Sequence, residues 1–169
     1  MTEQQFFEIL PREIREGCRE AIQRGFDSYA TKYSHVADVH HPRSVASVIH
    51  DHICDEVKRE VCNESFVFRE LRQRNLFLFE NILIITFKRF DEQLQSKNYP
   101  TETAEKFAAQ EEIEGIPANL PRIEMGYIPD AAGSSVNGIF AVYKTGKKID
   151  WNVNLNESDD FRQKDIKFA

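Results

Sequence analysis

The sequence predicts an α+β fold: N-terminal helices packed on a mainly antiparallel sheet of about five to six strands, with one inserted helix. Three observations predict it. Up to Cys62, apolar residues recur every three or four positions, which is the spacing of a helix face. After Asn63 the period drops to two, the spacing of a strand face. Helical signals then return once, after Pro100-Thr101. A chain of 169 residues fits a single domain, with a helical part (1–62), a sheet part (63–156) holding a helix near 101–112, and a tail (157–169).

Residues 4–10 can form a short helical turn ahead of Pro11. From Arg12, the positions Ile14, Cys18, Ile22, Phe26 and Tyr29 share one face of a helix reaching about Tyr33. Gly17 and Gly25 weaken it, because each costs about 1 kcal/mol relative to alanine. Ser34 to His41 has no clean period and reads as a loop. Pro42 suits the first turn of a second helix, along which Val45, Val48, Ile49, His52, Ile53, Val57 and Val61 form a stripe.

Phe66 to Leu71 reads as a strand. Leu76–Phe79 and Ile82–Arg89 read as a hairpin joined by Glu80-Asn81. That pair lacks the glycine that tight hairpin turns favour, so an uninterrupted strand with a bulge is the rival. Apolar residues on both faces predict a central strand covered on both sides. Thr101 is a good N-cap for the third helix, with Glu102 and Glu105 near its positive end, and the helix stops before Gly115. Arg122–Ile128, Ile139–Tyr143 and Lys148–Leu155 read as strands, separated by a loop from Asp130 to Gly138 and a turn at Lys144–Lys147. After Asn156 a frayed tail is expected.

At this length folding buries roughly 70% of the extended chain's surface, so neither a disulfide nor a structural metal is needed for a core. Thirteen phenylalanines against five tyrosines and one tryptophan supply that core, with a minority available to meet a partner. The net charge of −6 argues against general nucleic-acid binding. Only residues 65–100 are locally basic, with 6 basic and 4 acidic side chains. Three cysteines without C-x-x-C spacing fit free thiols in a reducing cytoplasm. The polar N-terminus and the short apolar runs give no signal peptide and no membrane span.

Two clusters of residues bear on chemistry. All five histidines (His35, His40, His41, His50 and His52) lie within 18 residues. On the second helix His50, Asp51 and His52 are the candidate catalytic residues, since imidazole beside carboxylate can move protons near neutral pH. His50 and Cys54 sit four apart, as do Asp51 and Asp55, a spacing that can also ligate a metal. A plain polar helix face, with His52 packed into the apolar stripe, accounts for the same residues. No His-Glu-x-x-His pattern is present, so no metal is assigned, and no cofactor is expected.

The basic, aromatic middle is the second cluster. Arg69, Arg72, Arg74, Lys88 and Arg89 stand among Phe66, Phe68, Phe77, Phe79, Phe87 and Phe90 and are candidates for substrate or partner contact. Such interleaving on a sheet can grip single-stranded RNA, or it can be buried rings with a solvated basic face. The Gly133-Ser134-Ser135 and Gly146-Lys147-Lys148 stretches are turns without phosphate-loop spacing, and no activating base is placed near either serine.

In order along the chain stand Ile49-His50-Asp51-His52-Ile53, Ile85-Thr86-Phe87-Lys88-Arg89-Phe90-Asp91 and Asn98-Tyr99-Pro100-Thr101. Gln110, Gly115-Ile116-Pro117, Gly126-Tyr127-Ile128-Pro129-Asp130 and Ile149-Asp150-Trp151 follow. This order, over about residues 40–155, resembles a family of bacterial proteins encoded beside Xre-type helix-turn-helix or ImmA/IrrE-like metallopeptidase proteins. The resemblance implies one half of a toxin–antitoxin or phage-defence pair that acts through a dedicated protein partner. It supplies no catalytic residues. A small nuclease or nucleotide-acting hydrolase using the His-Asp-His cluster is the alternative, and a non-catalytic structural or regulatory module is the third reading. The expected setting is cytoplasmic, and a homo-oligomer stays open.

Overall fold

The computed structural model describes residues 1–96, 101–116 and 119–157. The expected start of the third helix at Pro100, and most of the expected tail, lie outside them. Helix α1 (Glu3–Ile9) opens with a capping box, in which the Thr2 hydroxyl accepts from the Gln5 amide and the Gln5 side chain accepts from Thr2. Helix α2 (Arg12–Tyr33) follows, then a 3-10 turn at Ser34–Val39 in place of an irregular loop. In α3 (Pro42–Glu60), Pro42 stands in the first turn and the His41 ring accepts from the Arg43 amide. No helix among the described residues is long and apolar enough to cross a membrane.

Six strands follow in chain order across one sheet: β1 (Phe66–Leu71), β2 (Arg74–Phe79), β3 (Leu83–Arg89), β4 (Arg122–Pro129), β5 (Val136–Thr145) and β6 (Lys148–Asn154). Every neighbouring pair is antiparallel except β3 and β4, which run parallel, with Lys88 beside Gly126 and Arg89 beside Tyr127. Helix α4 (Glu102–Ala108) lies in the crossover between those two strands. The α+β fold is therefore present, and the central place expected of β3 is observed.

Both hairpin turns of the first three strands are made without glycine. Glu80 and Asn81 have φ of 47° and 56°, and Arg72 and Gln73 have 48° and 61°. Two successive left-handed residues form the turn whose twist matches a hairpin. The first of these turns starts β2 at Arg74, earlier than the apolar run Leu76–Phe79 indicates. Strand β5 also starts earlier, at Val136, because it pairs with β4 as far as Pro129, across a bulge. Helix α4 is shorter than the stretch to residue 112. Gln110 turns left-handed at φ 60°, and the Glu111 amide closes back on the Lys106 carbonyl.

One sheet face packs against α2 and α3 through Phe66, Phe77, Ile85, Phe87, Met125 and Ile139. The opposite face carries a smaller core of Leu76, Ile84, Phe107, Ile113 and Ile116 under α4. Burying a phenylalanine fully is worth about 2–3 kcal/mol. Among the described residues none of the phenylalanines is exposed, and all but Phe7, Phe68 and Phe140, which are half-buried, are core. Arg122, itself buried, holds the end of α4 to the sheet by donating to the Lys106, Phe107 and Glu111 carbonyls. The Gln110 side chain completes the seam, accepting from the Arg122 amide and donating to the Arg122 and Lys144 carbonyls.

Candidate functional site

Parallel strands end on the same side, and the crevice beyond their carboxyl ends is where open sheets bind ligands. Here the N-terminal half of α3 lies along one side of that crevice and the ends of β3 and β4 along the other. Together they line an open groove of roughly 1150 Å³. Pro42, Arg43, Ala46, Ser47, His50 and Asp51 come from α3, Phe87 to Gln93 from β3 and its exit, and Ile128 to Ala131 from β4 and its exit.

His50 is half-buried in the groove wall, with Nε2 3.6 Å from the Cys54 sulfur and a hydrogen bond to the backbone of Phe87. Burial, and after it the charge of Lys88, lower its pKa, so the ring is held neutral. The Cys54 thiol is pushed up to about 11, chiefly by burial, and stays protonated. Lys88 is half-buried, and burial lowers its pKa against the opposing pull of Glu124. Asp51, Arg43 and Arg89 are exposed. Two of the groove's carboxylates are engaged by their own turns. Asp91 accepts from the Gln93 and Gln95 amides, and Asp130 accepts from the Ser134 amide and hydroxyl and the Ser135 amide. The Ser134 hydroxyl is thus a turn donor.

The groove unites four of the eight residues singled out in the sequence: His50, Asp51, Lys88 and Arg89. The other four lie elsewhere. His52 turns to the Tyr33 ring, 5.9 Å between centroids, in a small aromatic group with Tyr29 and His40. Arg69 is exposed on the outer strand β1 and donates to the Phe68 carbonyl. Arg72 sits in a turn and pairs with Glu114. Arg74 points to the other sheet face, with its guanidinium 5.6 Å from the Phe107 ring. The five histidines do not converge: the His40 ring meets the Tyr29 hydroxyl at 2.7 Å, and His41 is a helix cap. Among the described residues no group of three or more His, Cys, Asp or Glu side chains is arranged to hold a metal.

Composition did not point to Arg43, Ile128 or Pro129. For Ile128 and Pro129 the signal lay in order, since the runs 50–51, 88–91 and 128–130, far apart in the chain, all reach the groove; Arg43 stands in none of these runs. No protein-family model, curated protein or solved structure matches the chain.

His50 makes a pH test available. Its folded-state pKa lies below the ordinary value of 6.5, so the unfolded chain takes up the proton first as pH falls. The stability that comes from holding His50 neutral is whole above that value and is lost as pH drops through the folded-state pKa. Unfolding midpoints measured between about pH 7 and pH 5 are expected to fall, and to fall less in His50→Gln. Parallel curves for the two proteins would show that burial of His50 does not control this titration.

Proposed function

We propose that this chain is one component of a bacterial toxin–antitoxin or phage-defence pair. In this reading the groove docks a segment of its protein partner, an Xre-type or ImmA/IrrE-like protein. The observation that carries the docking is the convergence of the three separated runs on one open groove with an apolar floor. Phe87, Phe90, Ile128 and Pro129 supply the floor, and Arg43 and Arg89 stand exposed at the rim. The carboxylates of Asp91 and Asp130 are turned to backbone amides. Asp51 and Glu92 also line the groove and are exposed, so the complementary segment is an apolar side chain flanked by residues of both charges. The order of motifs supports the pairing with a regulator.

The groove is also large and open by the standard of small-molecule sites, which enclose most of their ligand. A nuclease or hydrolase is the second reading, favoured by the meeting of His50 and Asp51 at one wall. Against it stand a buried thiol held protonated and an imidazole whose near neighbours are Cys54 and a backbone group, neither of which activates a nucleophile.

Co-expression with the product of the adjacent gene tests the two. Docking predicts co-purification that Arg89→Glu weakens by roughly tenfold or more, while His50→Gln retains it. Loss of a growth effect in His50→Gln with the complex intact would favour the hydrolase. Absence of any growth effect and of any complex with that product would remove the pair reading and leave a structural module.

A further inference from the structure

The chain carries on its own surface the kind of segment that the groove takes. Among the described residues Val39 is the most exposed large apolar side chain, at 80%, and Ile82 follows at 43%. A single exposed apolar residue calls for no explanation in itself. Val39 differs by its place. It closes the 3-10 turn Ser34–Val39, and Pro42, three residues on, already lines the groove. Charges of both signs stand near it, with exposed Asp38 beside it and exposed Lys32 in the last turn of α2. An apolar side chain between opposite charges is what the apolar floor and mixed rim of the groove call for.

Val39 is not seated in the groove of its own chain, since it stays exposed and forms no part of the lining. A second copy can take it. Turn and groove adjoin on one end of the molecule. A two-fold rotation that brings the turn of one copy to the groove of the other therefore brings the second turn to the first groove. The contact closes on two copies, and each buries its valine against apolar groups in place of water. Charge sets the orientation. Asp38 and Arg43, both exposed, stand on either side of the His41 cap of α3. A two-fold axis passing between them sets Asp38 of each copy against Arg43 of the other, opposite charge against opposite charge.

We infer that two copies of this chain associate about a two-fold axis, the Ser34–Val39 turn of each seated in the groove of the other. The free chain thereby covers the surface through which it docks its protein partner, and the partner must displace the second copy. That consequence rests on the docking reading above, whereas the self-association does not. One turn in one groove is a contact at the small end of interface sizes, so the dimer is weak and its population follows concentration.

Sedimentation velocity of the full chain between about 1 μM and about 1 mM tests this. A monomer–dimer equilibrium without larger species is expected. Val39→Asp should weaken it by roughly tenfold or more, and Asp38→Arg should weaken it as well. Adding Arg43→Asp to Asp38→Arg opposes the charges again and should restore association. Ile82→Asp is the control for general stickiness, because Ile82 precedes β3 at the end remote from the groove, and it should leave the equilibrium unchanged. All of these variants change exposed side chains, so each is expected to fold. A monomer across the whole range, open-ended association, or a dimer that Val39→Asp leaves intact overturns the contact. So does a double charge reversal that stays dissociated, or an equal loss in Ile82→Asp. Capture of the partner protein is a separate readout. A dimer that captures no partner sinks the docking reading alone, and a captured partner with a monomeric chain sinks the self-association alone.

Discussion

Replacing Gly25 with alanine is expected to destabilise the fold by about 3 kcal/mol, read as a lower urea midpoint. Helix propensity alone predicts the opposite sign, a gain of about 1 kcal/mol. The crossing of α2 and α3 reverses it. A Cβ at residue 25 would lie 2.7 Å from both the amide nitrogen and the Cα of Ile53, and 2.6 Å from Cγ1 of the same residue. Backbone atoms cannot swing aside, so the helices must separate, and Ile22, Phe26, Ile49 and Ile53 lose contact together. Gly17 on the same helix is the control. There an added methyl group meets only the Val61 side-chain methyls, at 3.1 and 3.2 Å, and a small shift accommodates it. Gly17→Ala is therefore expected within about 1 kcal/mol of wild type, where the propensity gain offsets the crowding. Equal stability of Gly25→Ala and wild type would mean that the two helices do not cross this closely.

Glu124→Ala is expected to cost about 3–5 kcal/mol, because it strands the Lys144 ammonium in a site almost without solvent. The partner change matters as much as the loss. In the double variant Glu124→Leu with Lys144→Met neither member of the pair is left buried alone, and replacing a buried pair by apolar side chains is often neutral or stabilising. The double variant should thus be clearly more stable than Glu124→Ala, in equilibrium unfolding at neutral pH. A simple sum of two destabilising changes would show that the pair makes no coupled contribution.

Much of the fold was legible because its signals are local. The stripe from Val45 to Val61 lies on one face of α3, and Pro42 and Thr101 begin helices for reasons confined to a single turn. The alternation of β3 and β4 likewise survives into the sheet. The misplaced boundaries have physical causes that residue type does not announce. Arg72, Gln73, Glu80, Asn81 and Gln110 all adopt left-handed backbone without being glycine. Pairing to β4 carries β5 back to Val136 through a stretch rich in turn-forming residues. Gly17 and Gly25 read as weak points in a helix, and Gly25 proved to be a place where the backbone of α3 leaves no room for a Cβ.

The candidate site was half legible. His50, Asp51, Lys88 and Arg89 stood out by type, and the junction between the second helix and the basic strands is where they meet. His52 stood out for the same reason as His50, yet two positions along a helix turn it toward Tyr33 instead. Arg74 and Lys88 belong to one charged face, but Arg69 and Arg72 do not.

The sequence by itself determined the helices, the strands and the side of each that is apolar, because periodicity and capping depend on near neighbours in the chain. Only the tertiary structure decided that β3 and β4 run parallel, and this one pairing brings residues 88–91 and 128–130 to the same edge beside α3. It also places Glu124 next to Thr86 and sets Lys144 against it from β5. The direction of strand pairing is a contact between segments almost forty residues apart, made by backbone groups that every residue carries. No local pattern encodes it, and the groove depends on it.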